Sequence, residues 1–285
     1  MASLANWGNH PSPDWIKPWE GARDHPEEIS FDAQAPNKPV VQDRGPQFSI
    51  ADHWAFGGYP SSLFASSDRA RRDFLIRHVA NNMPPLPATA INGRRIEPND
   101  FWRLLARCNG CRLETLFKNL PWDSKTFDLV INQLLDRGLI YTIGFMPLRN
   151  KPRSDLYYFR DTGLLHHLFN PRWLIDGPHR KHWDRSWEGF VIQLLCNGVG
   201  KRAEASVWRE GDEEIDLLLN WPSDTKRWGV EISRSSNKRP SAGFWTASQW
   251  LKLTNEFVIH WGDCDSIKTC RRYTLERFLE QFDGA

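Results

Sequence analysis

The sequence predicts an α/β chain in which helices come first and a sheet follows. Three observations predict it. Apolar residues recur at helical spacing between residues 68 and 137. Near Asp184 the pattern changes to short apolar strand runs separated by turn residues. From there to the end, the elements read in the order α-β-β-β-α-β-α.

At 285 residues the chain is long enough for about two domains, each with its own core. It is 40% hydrophobic and 25% charged, an ordinary globular balance. Fifteen Trp and nineteen Pro are both high. Many of the Trp sit beside Pro, Asp or Arg, which argues against one cofactor box. The net charge of +2 is unevenly spread. Residues 1–60 hold four Lys/Arg against eight Asp/Glu, whereas residues 61–155 hold fifteen against nine. A basic middle between an acidic head and a near-neutral tail hints at nucleic-acid contact. No stretch approaches the roughly 20 apolar residues of a membrane span, and the N-terminus lacks the basic and apolar regions of a signal peptide. Five Cys at irregular spacing suggest a reducing compartment, so a cytoplasmic location without a membrane partner is expected.

Residues 1–45, rich in Pro, Asp, Asn and Gly, read as an extended lead, with Trp15 and Trp19 able to rest on the body. Residues 46–97 form a helical linker region. Phe48 to Trp54 is a short helix ended by Gly57-Gly58-Tyr59-Pro60, and Asp68 to Asn81 is an amphipathic helix. Residues 98–170 hold three helices, Pro98 to Cys108, Arg112 to Asn119 and Asp123 to Arg137, then strands Leu139 to Phe145 and Leu156 to Phe159. In the third helix Phe127, Val130, Ile131, Leu134 and Leu135 fall at i, i+3, i+4, i+7 and i+8.

This order is that of a winged helix-turn-helix, whose third helix enters a major groove while the hairpin touches backbone. Lys125, Asn132 and Gln133 are the candidate base or phosphate contacts on that helix, and Arg149, Lys151 and Arg153 are those of the basic loop. Asp128 and Asp136 on the same helix work against DNA, and a packing or protein-contact module is the alternative that this favours.

Two smaller motifs read as structural. Cys108-Asn109-Gly110-Cys111 has neither the further ligands of a zinc site nor the βαβ setting of a redox pair. His166 and His167, at the start of another helix, read as helix-surface residues. Pro171 to His182 reads as a linker.

Residues 171–285 carry the acidic constellation. A helix presents Trp187, Phe190, Val191, Leu194 and Leu195, with Glu188 near its start. Strands follow at Ala203 to Arg209, Glu214 to Leu219 and Trp228 to Ser233, then a helix from Ser241 to Leu253, a strand from Glu256 to Trp261 and a helix from Leu275 to Phe282. Residues two apart in a strand face the same way. Glu214 and Asp216 therefore share a face, as do Glu231 and Ser233. If the two strands pair, Asp216 and Glu231 can hold Mg²⁺ between them, with Glu214 and Glu188 assisting. The alternative is a set of solvated strand-edge acids. Their apolar neighbours, Ile215, Leu217, Val230 and Ile232, argue against it, because a buried acid is costly unless paired.

A helix Glu, a strand Asp and a Glu on the next strand resemble the PD-(D/E)xK nuclease superfamily. The chain more closely resembles the domain of unknown function found at the C-terminus of many prokaryotic AAA-type ATPases. The stretches that carry this are Gly57-Gly58-Tyr59-Pro60, Tyr158 to Leu165, Trp187 to Ile192, Trp208-Arg209 with Glu213 to Leu217, and Val230 to Ser235. The resemblance covers residues 50–282 and implies a winged helix followed by a restriction-endonuclease-like αβββαβα domain.

Two departures matter. No G-x-x-x-x-G-K-[ST] loop occurs, so no ATP is expected on this chain. The lysine of Glu-x-Lys is replaced by Ser233, leaving Lys238, beyond the strand, as a doubtful stand-in. The expectation is a DNA-associated protein, weak or inactive in metal-dependent phosphodiester hydrolysis. The alternative is a non-catalytic interaction protein that binds a separate AAA-type ATPase or another cytosolic partner.

Overall fold

A computed structural model of the chain describes residues 49–82, 84–86, 96–146, 154–169, 180–211, 213–236, 239–261 and 271–282. The first helices are α1 (Ile50–Phe56), α2 (Pro60–Leu63) and α3 (Asp68–Asn82). Ser49 and Asp52 form a reciprocal capping box that starts α1. Next come α4 (Pro98–Arg107), α5 (Leu113–Phe117) and α6 (Ser124–Asp136). The Asp123 carboxylate accepts from the Thr126 amide at 2.7 Å and starts α6. Gly138, at φ 64°, follows the end of α6 in the left-handed region. An antiparallel hairpin of β1 (Ile140–Ile143) and β2 (Leu156–Phe159) leads to α7 (Thr162–Phe169).

The remainder is α8 (Arg180–Val199), a 3₁₀ turn (Gly200–Arg202), β3 (Glu204–Glu210), β4 (Glu213–Asn220), β5 (Arg227–Ser233), α9 (Ala242–Leu251), β6 (Asn255–His260), β7 (Arg271–Thr274) and α10 (Leu275–Phe282). The five strands form one mixed sheet in the order β3-β4-β5-β6-β7. The first two pairings are antiparallel and the last two parallel. Helices α8 and α10 cover one face through Trp187, Phe190, Val191, Leu195, Leu275 and Phe278. Helix α9 covers the other through Phe244, Ala247 and Leu251, against Trp208, Ile215 and Leu218.

The hairpin is buried on both sides. Tyr141, Ile143, Leu156 and Tyr158 enter the core shared with α8 and the sheet. Ile140, Tyr157 and Phe159 enter the core of helices α3 to α6. Chain beyond β1 then covers the sheet's first edge: Met146 donates to the Val207 carbonyl at 2.8 Å and Val207 donates to the Gly144 carbonyl at 2.9 Å. An edge strand otherwise left open is thereby satisfied.

Helix α1 is locked onto α7 by two motif stretches that lie far apart in sequence. The Asp161 carboxylate accepts from the Gly58 and Leu164 amides, each at 2.7 Å. Burial pushes its carboxyl up to about 6, against these amide contacts. Gly57 has φ 80°, and a Cβ there would lie 2.2 Å from the carboxylate. A Cβ on Gly163 would lie 2.1 Å from the Phe56 carbonyl oxygen. Both positions therefore require glycine.

Several expectations need correction. Pro60 does not merely stop α1; it opens the short helix α2. Helix α8 begins at Arg180, inside the predicted linker. Strand β7 was not anticipated, because Arg271-Arg272-Tyr273-Thr274 is short and largely polar. The observed order from α8 is α-β-β-β-α-β-β-α. His166 and His167 are buried rather than on a helix surface. His166 sits between the Ala55 carbonyl, 3.1 Å from Nδ1, and the Ser186 hydroxyl, 2.7 Å from Nε2.

Candidate functional site

Strands β4 and β5 pair from Asn220–Arg227 to Leu217–Val230. The pairing ends there, one residue short of Asp216 and Glu231, whose carboxyls nevertheless interact. The ladder changes character there. Ile232 donates its backbone N–H to Asp216 Oδ2 at 2.8 Å, so a side chain takes the place of a strand carbonyl. The cause lies on the other side of β4, where the β3 pairing slips: Ser206 faces Leu218 but Trp208 faces Ile215. The extra β4 residue is a bulge at 216–217, which re-aims the Asp216 side chain toward β5.

Three further carboxylates act on Asp216. Burial pushes its carboxyl well above the usual range; Glu231 adds to this, then Glu188 and Glu214, while the Ile232 amide opposes it. Glu231 is itself buried, at 3% exposure. Glu188 reaches the site from α8, and the Tyr158 hydroxyl donates to it at 2.5 Å. Burial raises the Glu188 carboxyl; Tyr158, Arg185 and Arg209 draw it back down while Glu214 raises it further. Glu214 forms an ion pair with Arg209. Carboxyls this close repel unless one keeps a proton or a cation sits between them.

The acids do not all approach from one side. Trp228, Val230 and Ile232 belong to the core under α8, so alternation turns Glu231 and Ser233 toward the α9 face. Val258 and His260 stand beside them in register. The expectation of one common side with Glu188 is therefore corrected: Glu188 and Glu231 meet at Asp216 from opposite sides. Among the described residues, no three His, Cys, Asp or Glu are grouped to hold a metal ion. Mg²⁺ in general takes one or two carboxylates and fills its remaining positions with water and phosphate oxygens.

Ser233 stands where the resemblance calls for lysine. Its hydroxyl accepts from the Ser235 amide at 3.0 Å and lies 3.3 Å from the Ser235 carbonyl, a local turn. Arg234 points away, pairing with Asp184 at 3.6 Å. Lys238 lies outside the described residues, as do Arg149, Lys151 and Arg153. Lys125 and Asn132 are exposed on α6 and Gln133 is half-buried. The same helix exposes Asp128, Asp136 and Leu129, the last at 57%. Because the β1–β2 strands are buried, any backbone contact from this hairpin falls to the loop that joins them.

Two site residues escaped the sequence. Tyr158 lies in an apolar strand run whose pattern says only "core". His260 ends β6, and only the parallel register sets it beside Ser233.

No family model matches the chain. Two curated relatives do: Uncharacterized protein Mb2031c of Mycobacterium bovis and Uncharacterized protein Rv2008c of Mycobacterium tuberculosis. Each is 29% identical over an alignment of 239 residues that covers 79% of this chain and 52% of the relative. The chain thus spans about half the length of the curated relatives it matches. No described helix is long and apolar enough to cross a membrane.

Proposed function

We propose that this is a DNA-associated protein with a restriction-endonuclease-like sheet behind a winged helix, and that its acidic site hydrolyses phosphodiesters weakly or not at all. The observation that carries this reading is Asp216 at the β4 bulge. It is turned onto the Ile232 amide, within the influence of Glu231 and Glu188, while Ser233 stands where the resemblance calls for lysine. Asp216 and Glu231 would hold Mg²⁺, which when bound supplies Lewis-acid stabilisation of phosphate oxygens. Tyr158 fixes Glu188 on the α8 side of Asp216. Ser233 is neutral, short and committed to its own turn. It leaves unfilled the task of orienting the attacking water and stabilising charge that develops on phosphate.

A duplex and single-strand cleavage assay with Mg²⁺ and Mn²⁺ tests this reading. The unmodified chain should cut slowly or not at all. Ser233→Lys should gain metal-dependent cleavage that Asp216→Asn removes again. Robust cutting by the unmodified chain that survives Asp216→Asn would defeat the assignment.

One observation favours a second reading, an interaction protein that docks on a separate ATPase or another partner. The outward face of α6 presents Leu129 between Asp128 and Asn132, poorly suited to phosphate. The half of the mycobacterial relatives that this chain does not cover leaves room for a further domain. Salt-dependent DNA binding separates the readings, because phosphate contacts release counterions and protein docking need not.

A further inference from the structure

The Cys108-Asn109-Gly110-Cys111 turn takes no part in the reading above, yet it is built unlike a simple connector. Cys111 donates its amide to the Cys108 carbonyl at 2.8 Å, closing a β-turn. Such a turn holds its end Cα atoms within about 7 Å, the range that a disulfide spans. Gly110, at φ 74°, makes the reversal. The turn is fastened to β2 from both directions: Gly110 donates to the Tyr157 carbonyl at 2.8 Å and Tyr157 donates to the Cys111 carbonyl at 3.1 Å. The Phe159 amide donates to Asn109 Oδ1 at 2.8 Å. A Cβ on Gly110 would sit 3.4 Å from the Arg185 side chain.

The two sulfurs are not equivalent. Both are thiols and both are half-buried. Arg185 Nη1 donates to Cys111 Sγ at 3.0 Å. A guanidinium at that distance favours the thiolate, which is the nucleophilic form. Cys108 is held in the opposite condition, its thiol pushed well up by its hydrogen bond to Cys111 and by burial. One sulfur is thus set up to attack and its neighbour to follow.

We propose that Cys108 and Cys111 form a thiol–disulfide exchange site for small-molecule disulfides, with Cys111 attacking and Cys108 resolving. The Cys111 thiolate attacks one sulfur of the small disulfide, forms a mixed disulfide and expels the first thiolate. Cys108 then loses its proton to solvent or to that leaving thiolate and attacks Cys111 Sγ. The second thiolate leaves and the Cys108–Cys111 bond closes. The protein gives up two electrons and two protons, and the small disulfide becomes two thiols. Oxidation also takes the thiolate form away from Arg185, one of the charges that lowers the Glu188 carboxyl. The proposal stands whether or not the acidic site cleaves DNA.

The test uses the full, reduced chain with oxidised glutathione under native conditions, quenched by alkylation and followed by intact mass and peptide mapping. The unmodified protein should lose two hydrogens, with the bond mapped to Cys108 and Cys111 and reversed by dithiothreitol. Cys108→Ser should stop at a stable glutathione adduct on Cys111, and Cys111→Ser should leave Cys108 unmodified over the same time. Arg185→Gln should slow the first step about threefold, because a neutral amide favours the thiolate less and the greater intrinsic nucleophilicity of a more basic thiol offsets only part of that loss. The unmodified-protein result needs no variant to fold. Persistence of both thiols in the native protein would overturn the proposal. So would a bond mapped to any other pair, or equal first-step rates with and without Arg185.

Discussion

Asp216 shows how far a single residue can be read from sequence. Its apolar neighbours marked it as an acid needing a partner, and strand pairing set it against Glu231. The bulge that turns its carboxylate onto the Ile232 amide has no signature in residue type. It arises from a slip between β3 and β4, a property of two strands together. Burial and the nearby carboxylates give Asp216 a folded-state pKa well above its ordinary value. The native protein therefore holds a proton that the unfolded chain releases. Stability falls as pH rises from the ordinary carboxyl range through that raised value, and the cost is full above it. Asp216→Asn mimics the protonated form. In metal-free buffer it should be more stable than the parent at pH 8, and the advantage should shrink toward pH 4 in urea titrations. Mg²⁺ or Mn²⁺ should raise the parent's melting temperature and leave the variant's nearly unchanged. An Asp216→Asn protein less stable than the parent at pH 8 would mean that the carboxylate is stabilised where it stands.

At the level of elements, periodic segments were legible and cooperative ones were not. Helix α6 carries five apolar positions at one spacing and a capping Asp123, so its limits follow from sequence. Strand β7 has four residues, two of them Arg, and exists because β6 offers it a parallel edge. Helix α2 lasts one turn, and its Pro reads equally as a stop or as a first helical residue. The α1–α7 junction lies between these extremes. Its glycines stood out in the sequence, but their shared task appears only when Gly57 and Gly58 meet Asp161 and Gly163 meets the Phe56 carbonyl. Gly163→Ala forces a methyl into backbone and should cost roughly 2–4 kcal/mol in denaturant unfolding. Asp161→Ala leaves amides unpaired and should cost about 1–3 kcal/mol. A fully stable Gly163→Ala protein would show that α1 can shift away at no cost.

Across the whole molecule, the hairpin belongs to two cores at once and so joins the helical part to the sheet. The sequence suggested a boundary near residue 170 because composition changes there; packing across that point depends on which face of each strand is covered. It also narrows where DNA contact by the hairpin can arise. If the chain binds DNA as proposed, charge reversal at Arg149, Lys151 and Arg153 together should weaken that binding for all sequences alike, and should flatten the logarithmic salt slope by about 1 for each phosphate no longer neutralised. Equal affinity and slope in the triple variant would remove this loop from the interface. The same packing gathers indoles. Trp54 of α1 lies 4.9 Å from Trp261, 5.1 Å from Trp183 and 5.7 Å from Trp187, ring centre to ring centre, and Trp187 lies 5.1 Å from Trp261. Chromophores this close share their excited states, and their mutual angles give paired bands of opposite sign in circular dichroism. Trp54 is the member that α1 carries, so a partial opening at that junction would change the spectrum while the sheet stayed intact, and the protein would report it by light with no label attached.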